Sequence, residues 1–404
     1  MLLTLAWRNI WRNKRRSLIV LLSVVVGVNS ILFMDGLTNG MLKQILVNQI
    51  SSSVSHMQIH KAGYNDDKIV QNFIPNPSKV ESALLSNPNV IYFSKRVKTF
   101  GLLSSASNSS GVYINGIVPE SEQNISRIKA YIIEGNYLSG DMHEIIIGKK
   151  LADKLKVTVG DKVVAMSNSP DGTIGSDVFR VVGIYKTATS EFDKAYIYIS
   201  LENSQKMLDI PGTVHEFAVI TENYLTASTI RDELRKELSE DYEVLSYEDL
   251  LPFIILQLDM YKESMFILNL IIGMALIFGI INSTLMSVFE RINEIGVLMS
   301  IGMKNIKIFN MIILESLIVG TLGTVIGIIS AYLLNIPLSK YGIDLSLFAE
   351  GLDSFGMGAI LYPSLSLDNF IITLFMIPFI ALMGAVYPAI KAVRLQPVYA
   401  LRYV

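Results

Sequence analysis

Four long apolar stretches constrain this sequence most, because a helix needs about 20 apolar residues to cross the ~30 Å hydrocarbon core of a bilayer. Residues 17–34, 264–289 and 370–390 contain no Asp, Glu, Lys or Arg, and residues 308–334 contain only Glu315. The chain is 51% hydrophobic and 17% charged, which is typical of apolar residues concentrated in a membrane. The sequence therefore predicts four transmembrane helices. The alternative for each stretch is a buried helix of a soluble core.

Charged residues beside these stretches predict the orientation, because Lys and Arg near the ends of a span are retained in the cytoplasm. Bases without any acid flank the outer stretches, with Arg8, Arg12, Lys14, Arg15 and Arg16 before the first and Lys391, Arg394 and Arg402 after the fourth. Three bases, Arg291, Lys304 and Lys307, lie between the second and third stretches. Acids dominate residues 335–369, which contain Asp344, Glu350, Asp353, Asp368 and the single base Lys340. We therefore predict a protein of the bacterial inner membrane with both termini in the cytoplasm.

The first stretch has a second interpretation as a cleavable signal peptide, because it is short and follows a basic segment. However, the 16 residues before it are long for such a peptide, and no A-x-A-like site follows Met34. An uncleaved membrane anchor is therefore favoured.

Residues 37–263, between the first two spans, have the composition of a soluble domain and are predicted to fold outside the membrane, in the periplasm. Segments rich in Val, Ile, Tyr and Phe predict strands at residues 144–148, 162–166, 178–184 and 195–199. Apolar spacing of three and four predicts helices at residues 78–85, 148–155, 201–208 and 226–238. The predicted fold class is an α-helical integral membrane protein with four transmembrane helices and a large mixed α+β domain inserted between the first two.

Catalytic and metal-binding patterns are scarce. The sequence has no cysteine, which excludes disulfides, thiolate metal sites and cysteine nucleophiles. His56 and His60 have a spacing that binds metals on a helix, but residues 54–60 alternate like a strand, which favours a solvated polar strand face. No G-x-S-x-G, H-E-x-x-H or G-x-x-x-x-G-K-[ST] pattern occurs. We therefore predict a non-catalytic chain without a metal or nucleotide site of its own.

A short polar segment, residues 290–302, follows the second span. On a helix it presents an apolar stripe and a polar stripe, formed by Ile295, Leu298, Met299 and Gly302 and by Glu290, Arg291 and Glu294. Two interpretations stand equal: an interfacial helix that transmits force between two spans, or a turn whose charges snorkel to water.

Polar residues and glycines inside the spans predict helix packing rather than a substrate path. The candidates for interhelical hydrogen bonds and close packing are Asn269, Asn282, Ser283, Thr284, Gly320, Gly323 and Gly327. Glu315 is the exception, because an ionised carboxylate inside a span is costly unless it faces the bundle or a partner. It either couples the third span to residues 290–302 or snorkels toward the cytoplasmic surface.

Three separated segments carry distinctive patterns. Residues 290–302 contain E-R-x-x-E-I-G-x-L-x-x-I-G, residues 6–16 are A-W-R-N-I-W-R-N-K-R-R, and residues 388–402 contain P-A-x-x-A-x-x-x-x-P-x-x-A-L-R. In that order, they resemble the coupling helix, the amphipathic N-terminal helix and the closing pattern of the FtsX/LolC/LolE/MacB superfamily, the type VII permeases of ABC transporters. The resemblance covers essentially the whole chain.

The resemblance implies a dimer, formed with a second copy or a paralogue, in which each permease docks a separate ATPase chain and relays its motion to the outer domain. The implied ATPase-coupling residues are Glu290, Arg291, Glu294, Ile295, Gly296, Leu298, Met299 and Gly302. ATP and Mg²⁺ would be bound by the ATPase, with no cofactor in this chain. Membrane lipids are expected partners. With 34 basic and 36 acidic side chains, nothing favours nucleic acid.

Within the superfamily, the size of the outer domain makes the chain most similar to LolC and LolE, which release lipoproteins to a periplasmic chaperone. The implied acyl-chain surface is Phe33, Met34, Leu37, Met265, Phe266 and Leu268, although these could equally be ordinary helix packing. The chaperone-docking loop would be residues 167–176, with Pro170, Asp171, Gly172 and Ile174, but this loop is shorter than the family's hook. The alternatives are a MacB-type exporter with a separate ATPase and an FtsX-like regulator of an extracytoplasmic hydrolase.

These inferences give a predicted order of segments along the chain. It is an amphipathic cytoplasmic helix (1–16), a first span (17–36), the periplasmic domain (37–263), a second span (264–289), a cytoplasmic coupling helix (290–305), a third span (306–334), an outer loop (335–369), a fourth span (370–390) and a cytoplasmic tail (391–404).

Overall fold

The computed structural model describes residues 2–12, 14–348, 351–352 and 357–394. Several residues of the sequence patterns lie outside the described residues, namely Glu350, Asp353, Pro397, Ala400, Leu401 and Arg402. The chain divides into two compact units. The helix bundle comprises Met1–Leu42, Gln257–Asp344 and Ile360–Val404, and the large domain comprises Lys43–Leu256 and Leu345–Ala359.

Long helices dominate the bundle, and short helices alternate with strands in the large domain. In chain order, the helices are α1 Leu2–Arg12, α2 Lys14–Gln49, α3 Pro77–Ser86, α4 Pro119–Glu122, α5 Lys149–Leu155, α6 Ser190–Ala195, α7 Leu201–Leu208, α8 Ala227–Glu237, α9 Tyr247–Leu250, α10 Pro252–Glu290, α11 Ile292–Ser300, α12 Asn305–Tyr341 and α13 Leu367–Val393. The strands are β1 Met57–Lys61, β2 Val90–Ser104, β3 Ser109–Ile117, β4 Ile132–Gly135, β5 Glu144–Gly148, β6 Lys162–Asn168, β7 Ile174–Tyr185, β8 Tyr196–Ser200, β9 Glu216–Thr221, β10 Tyr242–Ser246, β11 Ile343–Asp344 and β12 Ile360–Leu361.

Four helices are long and apolar enough to cross a membrane, and they are α2, α10, α12 and α13. The prediction of four transmembrane helices with a large α/β domain between the first two is confirmed. The helices extend beyond the charge-free stretches: residues 335–341 belong to α12 instead of a loop, and residues 14–16 begin α2. The reason is that a charged residue marks the edge of a hydrophobic span but does not end a helix.

Small residues let the helices of the bundle approach closely. A Cβ atom added at Gly323 would lie 2.7 Å from Val24 of α2, and one at Gly327 would lie 2.7 Å from Val28. Cβ atoms do not approach other atoms this closely, so a side chain would not fit at either position. The backbone of α12 therefore packs directly against side chains of α2, as is common between transmembrane helices. The predicted packing role of these glycines is confirmed.

Ten strands of the described residues form one mixed sheet in the large domain. Its order is β10-β1-β9-β2-β3-β8-β5-β7-β4, and β6 pairs with both β2 and β7. Therefore β2, β3, β8, β5, β7 and β6 close into a ring. Fully buried aliphatic and aromatic side chains form the core of this part, among them Leu103, Ile114, Ile147, Phe179 and Ile199. The predicted strands and helices of this domain are confirmed, with ends shifted by a few residues.

The prediction of a solvated strand face at His56 and His60 is wrong. His60 lies in β1 but is only 2% exposed, because β1 is covered by β9 and β10 on its two edges and Tyr64 stacks on the imidazole at 4.7 Å. His60 Nδ1 lies 2.9 Å from the carbonyl oxygen of His215, a suitable distance for donation. His56 precedes the strand and is half-buried, with Nδ1 3.0 Å from Thr221 Oγ1.

His60 belongs to a group of buried charges that we call the domain cluster, formed by His60, Arg96, Lys98, Glu122 and Glu216. Arg96 donates to both oxygens of Glu122 at 2.6 and 3.0 Å and to Glu216 at 2.7 Å. Lys98 Nζ lies 2.5 Å from the other oxygen of Glu216, and His60 Nε2 lies 3.7 Å from it. The cluster thus ties β2, β9 and α4 together through ion pairs, and His60 of β1 lies beside it.

Candidate coupling site at one end of the helix bundle

The N-terminal helix α1 packs on the bundle through a narrow face. Ala6 and Ile10 are its buried residues, and α1 contacts α12. On the flank of that face, Asn9 Nδ2 donates a hydrogen bond of 2.6 Å to Glu315 Oε1 of α12. A hydrogen bond from Ser17 Oγ to the carbonyl oxygen of Ile10 (2.6 Å) joins α1 to the start of α2.

Glu315 also binds Arg291, the residue immediately before α11. The guanidinium donates from both terminal nitrogens, at 3.0 to 3.2 Å, and the two side chains are only 13% and 14% exposed. Such a bidentate pair is both directional and stronger than a single neutral hydrogen bond. Glu315 therefore does not snorkel alone; it links the third long helix to residues 290–302.

A second ion pair lies closer to the surface. Arg12 of α1 contacts Glu294 of α11 at 2.6 Å, with both side chains about half exposed. Arg291 Nε lies 3.5 Å from the same carboxylate. We call these five residues, Asn9, Arg12, Arg291, Glu294 and Glu315, the bundle cluster. It connects α1, α11 and α12 side chain by side chain.

The helix α11 is anchored by a hydrophobic face that differs from the predicted one. Its buried residues are Ile292, Ile295 and Gly296, and Ile295 packs with Ile308 and Ile312 of α12. Leu298 and Met299 are only partly buried. Gly302 lies past the end of the helix, where its φ of +93° suits a helix-terminating glycine and its N–H donates to the Met299 carbonyl oxygen. Gly302 is therefore not part of an apolar stripe.

The opposite side of α11 is exposed and partly apolar. Val297 is 45% exposed and Ile301 is 79% exposed. Glu290, Asn293 and Glu294 are also exposed. We call these five residues the coupling surface. Sequence periodicity missed Val297 and Ile301, because they belong to neither the apolar nor the polar stripe of the predicted helix.

The bundle cluster borders a polar cavity of about 250 Å³. Hydroxyl groups of Ser283, Thr284 and Ser287 on α10 line it, together with Ser316 of α12. Thr284 Oγ1 and Ser316 Oγ lie 3.3 Å apart. Space beside a partly exposed ion-pair cluster would allow its side chains to change rotamers without repacking the helices.

At the other end of the bundle, the six proposed acyl-chain residues do not form one surface. Met265 and Phe266 line a cavity of about 420 Å³ between α2, α10 and α13, beside the buried Asp35 and its hydrogen-bond partner Asn269. Phe33 lines a different cavity of about 290 Å³. The other three, Met34, Leu37 and Leu268, are partly buried and line neither of these cavities.

The segment 167–176 is mainly a β-hairpin, which corrects its description as a loop. Its ends belong to β6 and β7, so Ile174 is a strand residue, and it is 71% exposed. The turn itself is closed by a hydrogen bond from the Ser169 N–H to the Thr173 carbonyl oxygen. Asp171 accepts hydrogen bonds from the backbone and hydroxyl of Thr173 at 2.9 and 2.7 Å, which lower the pKa of this carboxyl.

Comparison with known proteins supports the architecture. The family model of the FtsX-like permease C-terminal region matches residues 266–397, and that of the MacB-like periplasmic core domain matches residues 17–237. A lipoprotein-releasing system transmembrane protein LolC of Xylella fastidiosa (strain Temecula1) is 25% identical over 333 residues, which cover 79% of each chain. LolC of Neisseria meningitidis serogroup B is 24% identical over 412 residues, covering 97% of this chain and 96% of the relative.

A macrolide export ATP-binding/permease protein MacB of Psychrobacter arcticus is 24% identical over 425 residues, covering 96% of this chain but 57% of the relative. The MacB-like core match alone spans more than half of the chain, and the FtsX-like match covers most of α10, α12 and α13. The first of the four spanning helices begins within the MacB-like match, and the other three lie largely within the FtsX-like match. The chain therefore belongs to the FtsX/LolC/MacB superfamily of ABC-transporter permeases, as a LolC-like multi-pass protein of the inner membrane.

Proposed function

We propose that this chain is a non-catalytic permease subunit that converts the ATP-driven motion of a separate ATPase into movement of its large domain. The ATPase would dock on the coupling surface and bind ATP and Mg²⁺ itself. The observation that carries this proposal is the bundle cluster, which connects the exposed helix α11 to α1 and α12 through Glu294, Arg291 and Glu315. A push on α11 would thereby reach two further helices.

In this proposal both termini and the coupling surface face the cytoplasm, and the large domain faces the periplasm. The distribution of Lys and Arg supports that orientation. A second copy or a paralogue of the chain would complete the permease. Two helices, α2 and α10, continue in sequence beyond the bundle into the large domain, which suits the transmission of motion.

The proposed cargo is lipoprotein, released from the inner membrane and passed to a periplasmic chaperone. The relatives named LolC support this cargo, since one of them aligns along nearly the whole chain. The cavity beside Met265 and Phe266 offers apolar and adaptable side chains for an acyl chain. The exposed hairpin at Pro170, Asp171, Gly172 and Ile174 is the proposed chaperone contact.

A second candidate is export of small hydrophobic compounds by a MacB-like mechanism with a separately encoded ATPase. The match to the MacB-like periplasmic core domain and the MacB relatives favour it. The same coupling surface and bundle cluster would serve this function, so the two candidates differ in cargo rather than in mechanism.

Depletion of the chain in its host, followed by fractionation of lipoproteins between the two membranes, separates the candidates. We expect lipoproteins to accumulate in the inner membrane. Normal lipoprotein distribution together with increased drug sensitivity would instead support the exporter, and a defect in cell separation alone would contradict both. A depleted strain complemented with the wild-type chain serves as the control.

A further inference from the structure

One side of α1 carries an apolar stripe that the described part of the protein leaves about half uncovered. Leu3, Trp7 and Trp11 follow one another at intervals of four residues and are 63%, 46% and 50% exposed. The two indole rings pack edge to face, with centroids 5.8 Å apart. The buried Ala6 and Ile10 hold the helix on the bundle, and this stripe lies beside their face, at the edge of the contact. Exposed Trp side chains are typical of the boundary between acyl chains and headgroups.

Close in sequence to the Trp stripe are three exposed bases, one on α1 and two in the first turn of α2. Arg8, Lys14 and Arg15 are exposed, and among the described residues no acidic side chain forms an ion pair with any of them. Arg12 differs, because it is paired with Glu294. The sequence contains no Asp or Glu before Asp35. The three bases therefore present positive charge that is complementary to an anionic partner.

The nature of the partner follows from the combination of these two features. An exposed stripe of Trp and Leu on α1, followed directly by bases at the start of the spanning helix α2, suits the zone where headgroup phosphates meet acyl chains. An acidic protein surface would match the bases but would leave the stripe of Leu3, Trp7 and Trp11 without an apolar environment.

We propose that α1 and the first turn of α2 form a binding site for anionic phospholipids. Arg8, Lys14 and Arg15 would bind headgroup phosphates, while Trp7 and Trp11 insert at the acyl-chain boundary. Each basic side chain near the surface would favour an anionic over a zwitterionic lipid. This proposal does not depend on the cargo or on the ATPase.

The chain offers an intrinsic probe for this site, because its two tryptophans are Trp7 and Trp11. The Trp fluorescence of the full-length protein therefore reports on α1 alone. Purified chain would be reconstituted in nanodiscs of phosphatidylcholine and phosphatidylglycerol at a fixed ratio. In one sample only the phosphatidylglycerol carries dibrominated acyl chains. In the other sample the phosphatidylglycerol is unbrominated, and an equal mole fraction of phosphatidylcholine carries the dibrominated chains.

We expect brominated phosphatidylglycerol to quench at least about two-fold more strongly than brominated phosphatidylcholine, and added salt to reduce the difference. The Arg8→Gln, Lys14→Gln, Arg15→Gln triple variant should be quenched equally by both lipids. A matched variant, Lys304→Gln with Lys307→Gln, removes two exposed bases that belong to neither α1 nor α2 and should keep the preference.

Equal quenching of the wild-type chain by both lipids would overturn the proposal, as would a triple variant that retains the preference. Emission typical of water-exposed Trp without quenching by either lipid would also overturn it, since α1 would then face a protein surface or solvent. Salt-insensitive preference would show that the bases do not recognise the headgroup charge, and would count against their assigned role.

Discussion

The domain cluster and the bundle cluster are built from the same residue types but differ in their access to water. In the domain cluster, Arg96, Glu122 and Glu216 are at most 3% exposed, the side chain of Lys98 is 26% exposed, and every carboxylate is matched by a base. In the bundle cluster, exposure rises from 13% at Glu315 to about half at Glu294 and Arg12. An enclosed cluster fixes one arrangement, whereas a partly hydrated one can exchange partners at low cost. We infer that the first cluster stabilises the fold and that the second can switch.

The electrostatics of the domain cluster agree with a fixed role. Burial alone would raise the pKa of Glu216, but Lys98 and Arg96 outweigh it and lower that pKa to about 2. Burial alone would lower the pKa of Arg96, and Glu122 and Glu216 reverse the direction and raise it. Both groups therefore stay ionised throughout the physiological range, held by each other.

The largest effect is expected from Arg96→Met. The substitution leaves Glu122 buried without its base, which should destabilise the domain by about 3–5 kcal/mol. Hydrogen exchange of the full-length chain should show amides of β2 and β9 exchanging about 10²- to 10⁴-fold faster. Lys95→Met is the matched control on the same strand, because Lys95 pairs with Glu81 nearer the surface. Similar exchange in both variants would contradict the distinction between enclosed and hydrated pairs.

Acidification should produce the next largest effect, through His60. Burial lowers the pKa of His60 to about 4, against 6.5 for an ordinary histidine. Between these values the unfolded chain binds the proton and the folded chain does not, so stability falls as the pH falls from 6.5 to 4. Between pH 7 and pH 5 the loss is about 2 kcal/mol. For Glu216 the corresponding loss occurs at lower pH, between 4.5 and about 2.

This pH dependence can be measured by thermal unfolding of the large domain within the full-length chain, followed by circular dichroism at pH 7 and pH 5. His60→Gln removes the titrating group, so the variant should be less stable at pH 7 but should lose less stability on acidification. If His60→Gln and the wild-type chain lose the same amount of stability between pH 7 and pH 5, His60 is not responsible for the pH dependence.

The bundle cluster should be less sensitive to loss of a partner. Glu315→Gln weakens the hydrogen bonds to Arg291 and Asn9 without creating a buried unpaired acid, and we expect a loss of about 1–2 kcal/mol. Arg291→Gln should cost more, because it leaves Glu315 with only the neutral partner Asn9, and the double variant should cost less than the sum, because the two residues share one interaction. Thermal melts followed by the fluorescence of Trp7 and Trp11 would report on α1. Additive losses would contradict a direct Arg291–Glu315 coupling.

The sequence predicted the parts of the structure that depend on local composition. The four spans follow from long runs without charge, and strands such as β5 follow from Val and Ile between turn signals. It could not predict contacts that only the tertiary fold creates. His60 is buried by Glu216 and His215, about 155 residues away in sequence, and Glu315 meets Asn9 across 306 positions. No periodicity connects residues so far apart, so Asn9 and Arg12 were missed as members of the site.

The smallest effect on stability is expected from Glu294→Lys, which nevertheless tests the proposed function most directly. The ion pair with Arg12 is about half exposed, so its loss should change the stability by less than about 1 kcal/mol. If α11 receives the ATPase, however, reversing a charge on the coupling surface should reduce the stimulation of the ATPase in the reconstituted complex several-fold. Unchanged stimulation would contradict the assignment of this surface.

The double variant Arg12→Glu, Glu294→Lys separates two explanations for such a reduction. It restores an ion pair between α1 and α11 with reversed polarity but leaves the reversed charge on the coupling surface. If Glu294 acts by holding α1 against α11, the double variant should recover the stimulation. If Glu294 contacts the ATPase, stimulation should stay low although the helix pair is intact. Because the bundle cluster is hydrated enough to accept the exchange, the same swap would not be tolerated at Arg96 and Glu216, where Glu122 and Lys98 fix the polarity.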